Sequence, residues 1–537
     1  MLLLRSKIVR VAIVLVIVAV GFGIRYWREW RDRIPKQPII VVMPAKVTGS
    51  EDMSFLTDAV SNSLSAHLSV IPGLETKVPP TSFEIEPIGE DYKRISMAYG
   101  VNLIVGTGIA VDSDQLQLDL HLIDPVSQRV LWTDSFQGTK NQYLDLMERA
   151  REALRQTLRV GDAVPAAMDD AGSSEAELAY QAGEYHFNRF SSQHDPADFA
   201  VSLKSFQQAL ELNPKLADAA SGLSRLYGLR IEAAQPNPEL IAEVEKWAHR
   251  ALEIDDKNGR AFFMLSTADS WRPGSDPMRR LPDALRAARF APDFAPAHLE
   301  LGQAMAASTN LGLAASRRSR QLDPLYFYAP LAEAGYLHQL GRTSEAFGIL
   351  DRYVLSIDPN MGYGRWVEAS LMIELGWLQR AEHLVKEIEK DVSEQRITPL
   401  ASNTIRQKYA IALKEFGSAG IEITRIMKVV DNPKVTPLEM TVAVESVPAL
   451  ANGGYIEDAL HILERAAAMG SVLPYDWLRT DRRLEKLRRV SRFSFILERS
   501  RAQFEQMMKV LDEAGARGEL PNYLELSISD LRSSLPN

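Results

Sequence analysis

The chain has no cysteine, which excludes disulfides, thiolate zinc sites and thiol nucleophiles together. It has little histidine: nine residues, scattered, with none at a spacing that ligates a metal. His186 and His194 are the nearest to a pair, and His186 is expected to pack inside a helical repeat instead. His121 falls on the wet side of an alternating strand with no second ligand at metal spacing, so it reads as a solvated side chain. Motifs for chemistry are missing too. There is no Gly-rich phosphate loop ending in Lys-Ser/Thr, no HExxH and no GxSxG elbow. No cofactor is expected, and the chain is not expected to be an enzyme. Basic excess is also absent. The formal charge is −9, so the chain as a whole is no phosphate-polymer binder, and no nucleic-acid partner is expected.

What is present is ordinary globular composition, 46% hydrophobic and 24% charged, spread over 537 residues. That length exceeds one core. An apolar run, Val11–Ile24, opens the chain between Arg10 and Arg25. It is short for a membrane span, but with both arginines snorkelling the effective segment is Ile8–Trp27. Tyr26, Trp27 and Trp30 stand where an interfacial aromatic belt would be. The run predicts a single N-terminal transmembrane helix. A cleaved signal peptide (Arg5, Lys7 and Arg10 before the apolar core, Ala19 and Gly21 as small residues) and a buried core helix stay open as other readings.

Residues 37–160 alternate strand and helix signals. Ile39–Met43 is a continuous apolar strand stopped by Pro44. Asp58–Val70 has helical spacing and is broken by Pro72-Gly73. Asp91–Tyr99 predicts a helix capped by Gly100, and Val101–Val105 a further strand. In Gln115–Ile123, leucines 116, 118, 120 and 122 alternate with polar residues, as an antiparallel strand with one buried face requires. Asp124–Ser127 turns the chain, Val130 and Trp132 begin the return strand, and Tyr143–Leu158 closes the module as an amphipathic helix. The order resembles the TolB-like N-terminal domain of bacterial membrane proteins. The matching residues are Ile40–Pro44, Ile71-Pro72-Gly73-Leu74, Gly100-Val101, Gly106-Thr107-Gly108, and the hairpin Leu122-Ile123-Asp124 to Leu131-Trp132. The resemblance implies an extracytoplasmic interaction or sensing module.

A polar stretch, 161–177, predicts a linker. Beyond it the chain repeats. Leu212-Asn213-Pro214, Ile254-Asp255-Asp256, Ala291-Pro292-Asp293, Leu322-Asp323-Pro324 and Ile357-Asp358-Pro359 recur near the tetratricopeptide period of about 34. Gly341 with Ala346, Gly376 with Ala381, and Gly454 with Ala459 predict turns inside helix pairs. Between 393 and 450 the pattern fades, with Gly417 as the expected turn. Tyr180–Tyr227 resembles the first repeat that follows TolB-like domains, and Leu478–Leu487 resembles a closing helix of that combined family, with Arg482 and Leu484 where proline and phenylalanine are usual. Arg479–Arg501 holds nine basic residues, but the stripe Leu484, Leu487, Val490, Phe493, Ile496 and Leu497 predicts an amphipathic capping helix.

The expected fold is therefore α+β: a single N-terminal transmembrane helix (1–36 with its flank), a small α/β TolB-like domain (37–160), the linker (161–177), a tetratricopeptide solenoid (178–500) and a C-terminal helix and tail (501–537). Stacked helix pairs leave a concave wall of first helices. Counting from the packing positions places Arg225, Arg260, Phe263 and Gln303 in that groove, which predicts a protein or peptide partner and a membrane-anchored scaffold. The family resemblance also implies an alternative, an extracytoplasmic sensor like the outer half of CadC-type regulators. Only about ten residues precede the apolar run, so an output domain would have to come from a separate partner. The expected setting is the bacterial inner membrane. Basic residues after the run (Arg25, Arg28, Arg31, Arg33, Lys36) favour a cytoplasmic C-terminal region, while the resemblance implies a periplasmic one, which is the expectation adopted.

Overall fold

The computed structural model describes residues 34–49, 53–86, 88–161, 174–193, 195–234, 237–272, 277–355, 362–393 and 398–534. The expected membrane anchor and most of the expected linker lie outside the described residues. Among the described residues no helix is long and apolar enough to cross a membrane. The chain divides into two units, Met1–Gln181 and Ala182–Asn537.

The first unit is built on a six-stranded mixed sheet. Its strands are β1 (Ile39–Val42), β2 (Lys46–Thr48), β3 (Glu75–Thr76), β4 (Leu103–Asp112), β5 (Gln115–Asp124) and β6 (Arg129–Thr139), in the order β3-β1-β4-β5-β6 with β2 also against β4. β1 runs parallel to both β3 and β4, so both its faces are covered, and Ile40, Val41 and Val42 are completely buried. β4, β5 and β6 form an antiparallel meander. The leucines at 116, 118, 120 and 122 face the core as their alternation requires, and His121 is exposed. The helices are α1 (Leu56–Ser69), α2 (Ser82–Ile85), α3 (Tyr92–Tyr99) and α4 (Tyr143–Leu158). Gly73 and Gly100 take positive φ where the helices preceding them have to stop.

Two features of this unit go beyond the sequence pattern. The fourth strand continues past the expected Val105 to Asp112, because Gly106-Thr107-Gly108 pairs with β5. Thr107, Ile109 and Val111 face inward, and a side chain at Gly106 would press on Ile123 at 3.2 Å. The edge strand β6 is also blunted. Ser135 N–H donates to its neighbour Asp134, Thr139 N–H donates to Gln142, and the Gln137 carbonyl accepts from Arg149. Those contacts occupy backbone groups that would otherwise template another strand.

The second unit is helical. Its pairs are α5 (Ser174–Gln193, which spans the division) with α6 (Pro196–Leu212), α7 (Ala217–Ala234) with α8 (Pro238–Ile254), α9 (Gly259–Ser270) with α10 (Pro277–Phe290), α11 (Ala295–Ala304) with α12 (Thr309–Leu322), α13 (Tyr328–Gln339) with α14 (Thr343–Leu350), α15 (Gly362–Glu374) with α16 (Leu378–Ser393), and α17 (Pro399–Ala412) with α18 (Phe416–Val430). First helices from α7 to α17 start at 217, 259, 295, 328, 362 and 399, close to the period of about 34. Each touches the first helix of the next pair, which makes a continuous inner layer.

The recurring signatures at 212–214, 254–256, 291–293 and 322–324 close second helices, and Ile357-Asp358-Pro359 lies outside the described residues. The side chains of Asn213, Asp255 and Asp323 accept from the backbone N–H two residues on, at Lys215, Lys257 and Leu325, and so turn the chain into the next pair. Gly341, Gly376 and Gly454 take positive φ, and Ala346, Ala381 and Ala459 are completely buried opposite them.

Three expected boundaries move. Gly417 is not a turn; it sits inside α18, and the left-handed position is held by Lys414 at φ 60. The expected linker end at 177 falls inside α5, which already begins at Ser174. The expected division at 500 falls inside a 26-residue helix. After α18 come α19 (Pro437–Val444), α20 (Val447–Gly453), α21 (Ile456–Ala468), α22 (Tyr475–Thr480), α23 (Glu485–Arg488), α24 (Ser491–Ala516) and α25 (Asn522–Ser534). The continuity of α24 has a packing cause: Phe493 and Ile496 belong to one core and Phe504, Met507 and Leu511 to another, so one helix links both.

Candidate functional site

The inner layer is where the sequence placed a partner, and the structure converts that expectation into a cluster around one residue the sequence reading did not name. Phe294, half-buried, immediately precedes α11. The Phe263 ring meets it edge-on at 5.4 Å, and the guanidinium groups of Arg260 and Arg225 lie 5.3 and 5.6 Å from its centroid. Three of the four expected groove residues therefore converge on Phe294 from α7 and α9.

Arg225 is committed inside this cluster. Its Nη1 donates to both carboxylate oxygens of Glu184 at 3.0 Å, and its guanidinium covers Phe187 at 4.2 Å. Only 12% of each partner's side chain is exposed, so the ion pair is largely desolvated and holds α5 to α7. The expected role of Arg225 as a groove contact assumed an open position, but Glu184 on the preceding first helix faces it. Arg260 and Phe263 are half-buried, and Gln303 is the one of the four that is exposed. Gln303 stands apart from the cluster, its backbone carbonyl accepting from Arg280.

Deeper in the same layer, Glu300 is buried between repeats. It accepts from Ser266 of α9 at 2.6 Å and from Arg280 of α10 at 3.3 Å. Burial pushes the Glu300 carboxyl up, opposed by the Arg280 charge and the Ser266 hydroxyl. Burial also pushes the nearby Tyr336 phenol up to about 12. The Glu300 hydrogen bonds tie α9, α10 and α11 together.

The chain's own C-terminal segment takes a second set of contacts along the turns inside the pairs. The Asp476 carboxylate accepts from the Thr309 and Asn310 backbone N–H groups and from the Ser308 hydroxyl, capping α12 from 167 residues away. Arg483 donates to the His338 carbonyl at the end of α13 and to Glu374 at the end of α15. Burial would raise the Glu374 carboxyl, but the His338 hydrogen bond and the charges of His338 and Arg483 hold it down at about 2. His298 on α11 bonds with Tyr523 of α25 at 2.9 Å and with the Pro292 carbonyl at 3.0 Å. Burial drives its imidazole down to about 4, so it is neutral, donating to Pro292 and accepting from the Tyr523 hydroxyl.

The basic stretch 479–501 is mostly spoken for. Arg489 pairs with Glu485, Arg492 with Glu457 and Glu464, and Arg501 with Glu505. His186 bonds with Asp198 at 2.6 Å, inside the first pair as expected. A shallow depression of about 460 Å³ lies at the Gly376–Arg380 turn, with Trp377 partly exposed. Among the described residues no three His, Asp or Glu side chains converge as metal ligands would.

No family model matches this sequence, and no curated protein matches it. Solved structures that it resembles include YrrB, a TPR protein with an unusual peptide-binding site, at 21% identity over 35% of this chain and 89% of that one, with a TM-score of 0.23. The pilF protein of Pseudomonas aeruginosa aligns at 13% identity over 47% of this chain and 93% of its own, with a TM-score of 0.26. A tetratricopeptide repeat protein from Parabacteroides merdae aligns at 15% identity over 57% and 98%, with a TM-score of 0.26.

Proposed function

We propose that this chain is a membrane-anchored protein-interaction scaffold that holds a protein or peptide partner on the inner layer of a tetratricopeptide-type array. The observation that carries the reading is the Phe294 cluster. Arg260, Phe263 and Phe294, backed from the preceding first helices by the buried Phe187 and the paired Arg225, assemble one aromatic and cationic patch that no single pair could build. Aromatic and arginine side chains are the types that anchor protein interfaces, because they bring large contact area and planar donors. Binding, rather than catalysis, is the activity proposed.

The anchor is the run Val11–Ile24, the first unit is a TolB-like interaction module, and the C-terminal region lies in the periplasm of a bacterial inner membrane. Alkaline phosphatase fused to the C-terminus is expected to be active, and a cytoplasmic fluorophore fused there to be dark. The reverse result would overturn the placement.

The binding reading is tested by crosslinked pull-down from cells of origin with wild type and Arg260→Glu. Arg225 is unsuited to this test because its loss would unpair Glu184. An unchanged melting temperature with loss of the recovered partners supports the inner layer as the site. Recovery of the same partners by both proteins would rule it out.

A further inference from the structure

The first unit holds a carboxylate that its own fold leaves poorly compensated. Asp58 on α1 is 2% exposed. One of its oxygens accepts from Ser82 N–H at 2.8 Å, the first residue of α2, and the other has no partner among the described residues. The segment that carries Ser82, residues 77–86, lies over α1 and contains Pro79 and Pro80, so it offers few backbone donors of its own. Its described polar attachments to α1 are that Ser82 bond and a bond from Ser65 Oγ to the Lys77 carbonyl. Beneath it α1 buries polar positions: Asp58, Ser61 and Ser65.

Among the described residues, the charged groups around Asp58 do not offset it. On the segment itself the nearest is a second carboxylate, Glu84, whose oxygen accepts from Thr81 N–H and Oγ1. Lys77 pairs with Glu75 of β3, Arg151 of α4 with Glu148, and Lys46 of β2 with Glu90. His67, at the far end of α1, bonds with the Ser63 carbonyl. A buried carboxylate without a cation favours its neutral form, and a neighbouring carboxylate adds to that preference.

We propose that residues 77–86 form a pH-gated strap, latched onto α1 while Asp58 carries a proton and released from it when Asp58 ionises. Burial pushes the Asp58 carboxyl up to about 6, against the Ser82 N–H hydrogen bond that pulls it down, with Glu84 adding to the rise. The sign follows from linkage. The latched state holds the extra proton between the ordinary carboxylate value and about 6, so latching is strongest below that window and weakens as pH rises through it, roughly tenfold per unit. Release uncovers a polar helix face, Asp58, Ser61 and Ser65, that is otherwise shielded from any partner.

Hydrogen–deuterium exchange on the full-length protein, read at the amides of 82–86 and corrected for intrinsic exchange, tests this. Protection in the wild type is expected to be about tenfold lower at pH 7.5 than at pH 5.0, with the β4–β5 amides unchanged. Asp58→Asn, which keeps an acceptor for Ser82 N–H, is expected to hold the segment equally well at both values. Equal protection of the wild type at both pH values would overturn the proposal, and so would an Asp58→Asn protein with the wild-type pH dependence.

Discussion

At the level of single residues, the structure rests on side chains whose partners lie far away in sequence, and these were the least legible beforehand. Phe294 is the clearest case. It sits outside any helix, directly after the Ala291-Pro292-Asp293 signature, and so had no place in a count made along helix faces. Phe294→Ala removes the ring that Phe263, Arg260 and Arg225 share. The expected cost is about 2 kcal/mol in urea unfolding, at the low end for a phenylalanine because the site is half-buried. His298 gives a pH test. Its imidazole is neutral in the fold at about 4, whereas the unfolded chain takes up a proton near 6.5. The sign therefore runs opposite to that of Asp58: stability from His298 is complete above the unfolded value and is lost as pH falls towards 4. Denaturant melts at pH 5 are expected to show a loss of about 2 kcal/mol relative to pH 7, and a His298→Gln protein is expected to lack most of that loss.

At the level of elements, most of the strands and helices could be read directly. The Asn/Asp signatures, the Gly–Ala turn relation and the leucine alternation of β5 all have local physical causes, and they held. Elements failed where the local signal pointed elsewhere. The strand expected to end at Val105 runs on to Asp112, because Gly106 and Gly108 pair with His121 and Asp119 of β5. Gly417 suggests a turn, yet Lys414 occupies the left-handed position. A β-carbon is strained there, so Lys414→Gly is expected to stabilise the array by about 1 kcal/mol, measured as a raised midpoint in denaturant with an unchanged slope. Asp476 shows the converse, an element end satisfied from a distance. Asp476→Ala leaves the first N–H groups of α12 and the Ser308 hydroxyl without their acceptor. About 3 kcal/mol of destabilisation is expected, and exchange at Thr309 and Asn310 should rise with it.

At the level of the whole molecule, composition and repeat period pointed to a helical array, and the second unit is one. The sequence marks a first repeat at Tyr180–Tyr227 and a closing segment at Leu478–Leu487, but not what the C-terminal end packs against. A period tells how neighbours stack; it carries no information on what returns across them. Tyr475 and residues 504–531 lie against α10–α12 through a mixed apolar and polar contact, with Leu511, Leu524 and Leu531 buried there. The inner layer is likewise more filled than a count of packing positions implies, because Glu184 meets Arg225 and Ser266 meets Glu300 across pairs. The face proposed for a partner is accordingly narrower than an open trough, and is centred on Arg260, Phe263 and Phe294.

That leads to the most direct test of the scaffold reading. A photo-crosslinking residue is placed singly at Phe263, on α9 against Phe294, and at Lys246, exposed on the second helix α8. Irradiation in cells is expected to yield a discrete protein adduct from position 263 and none from 246. Adducts of equal yield from both positions, or an adduct from 246 alone, would contradict a partner held on the inner layer.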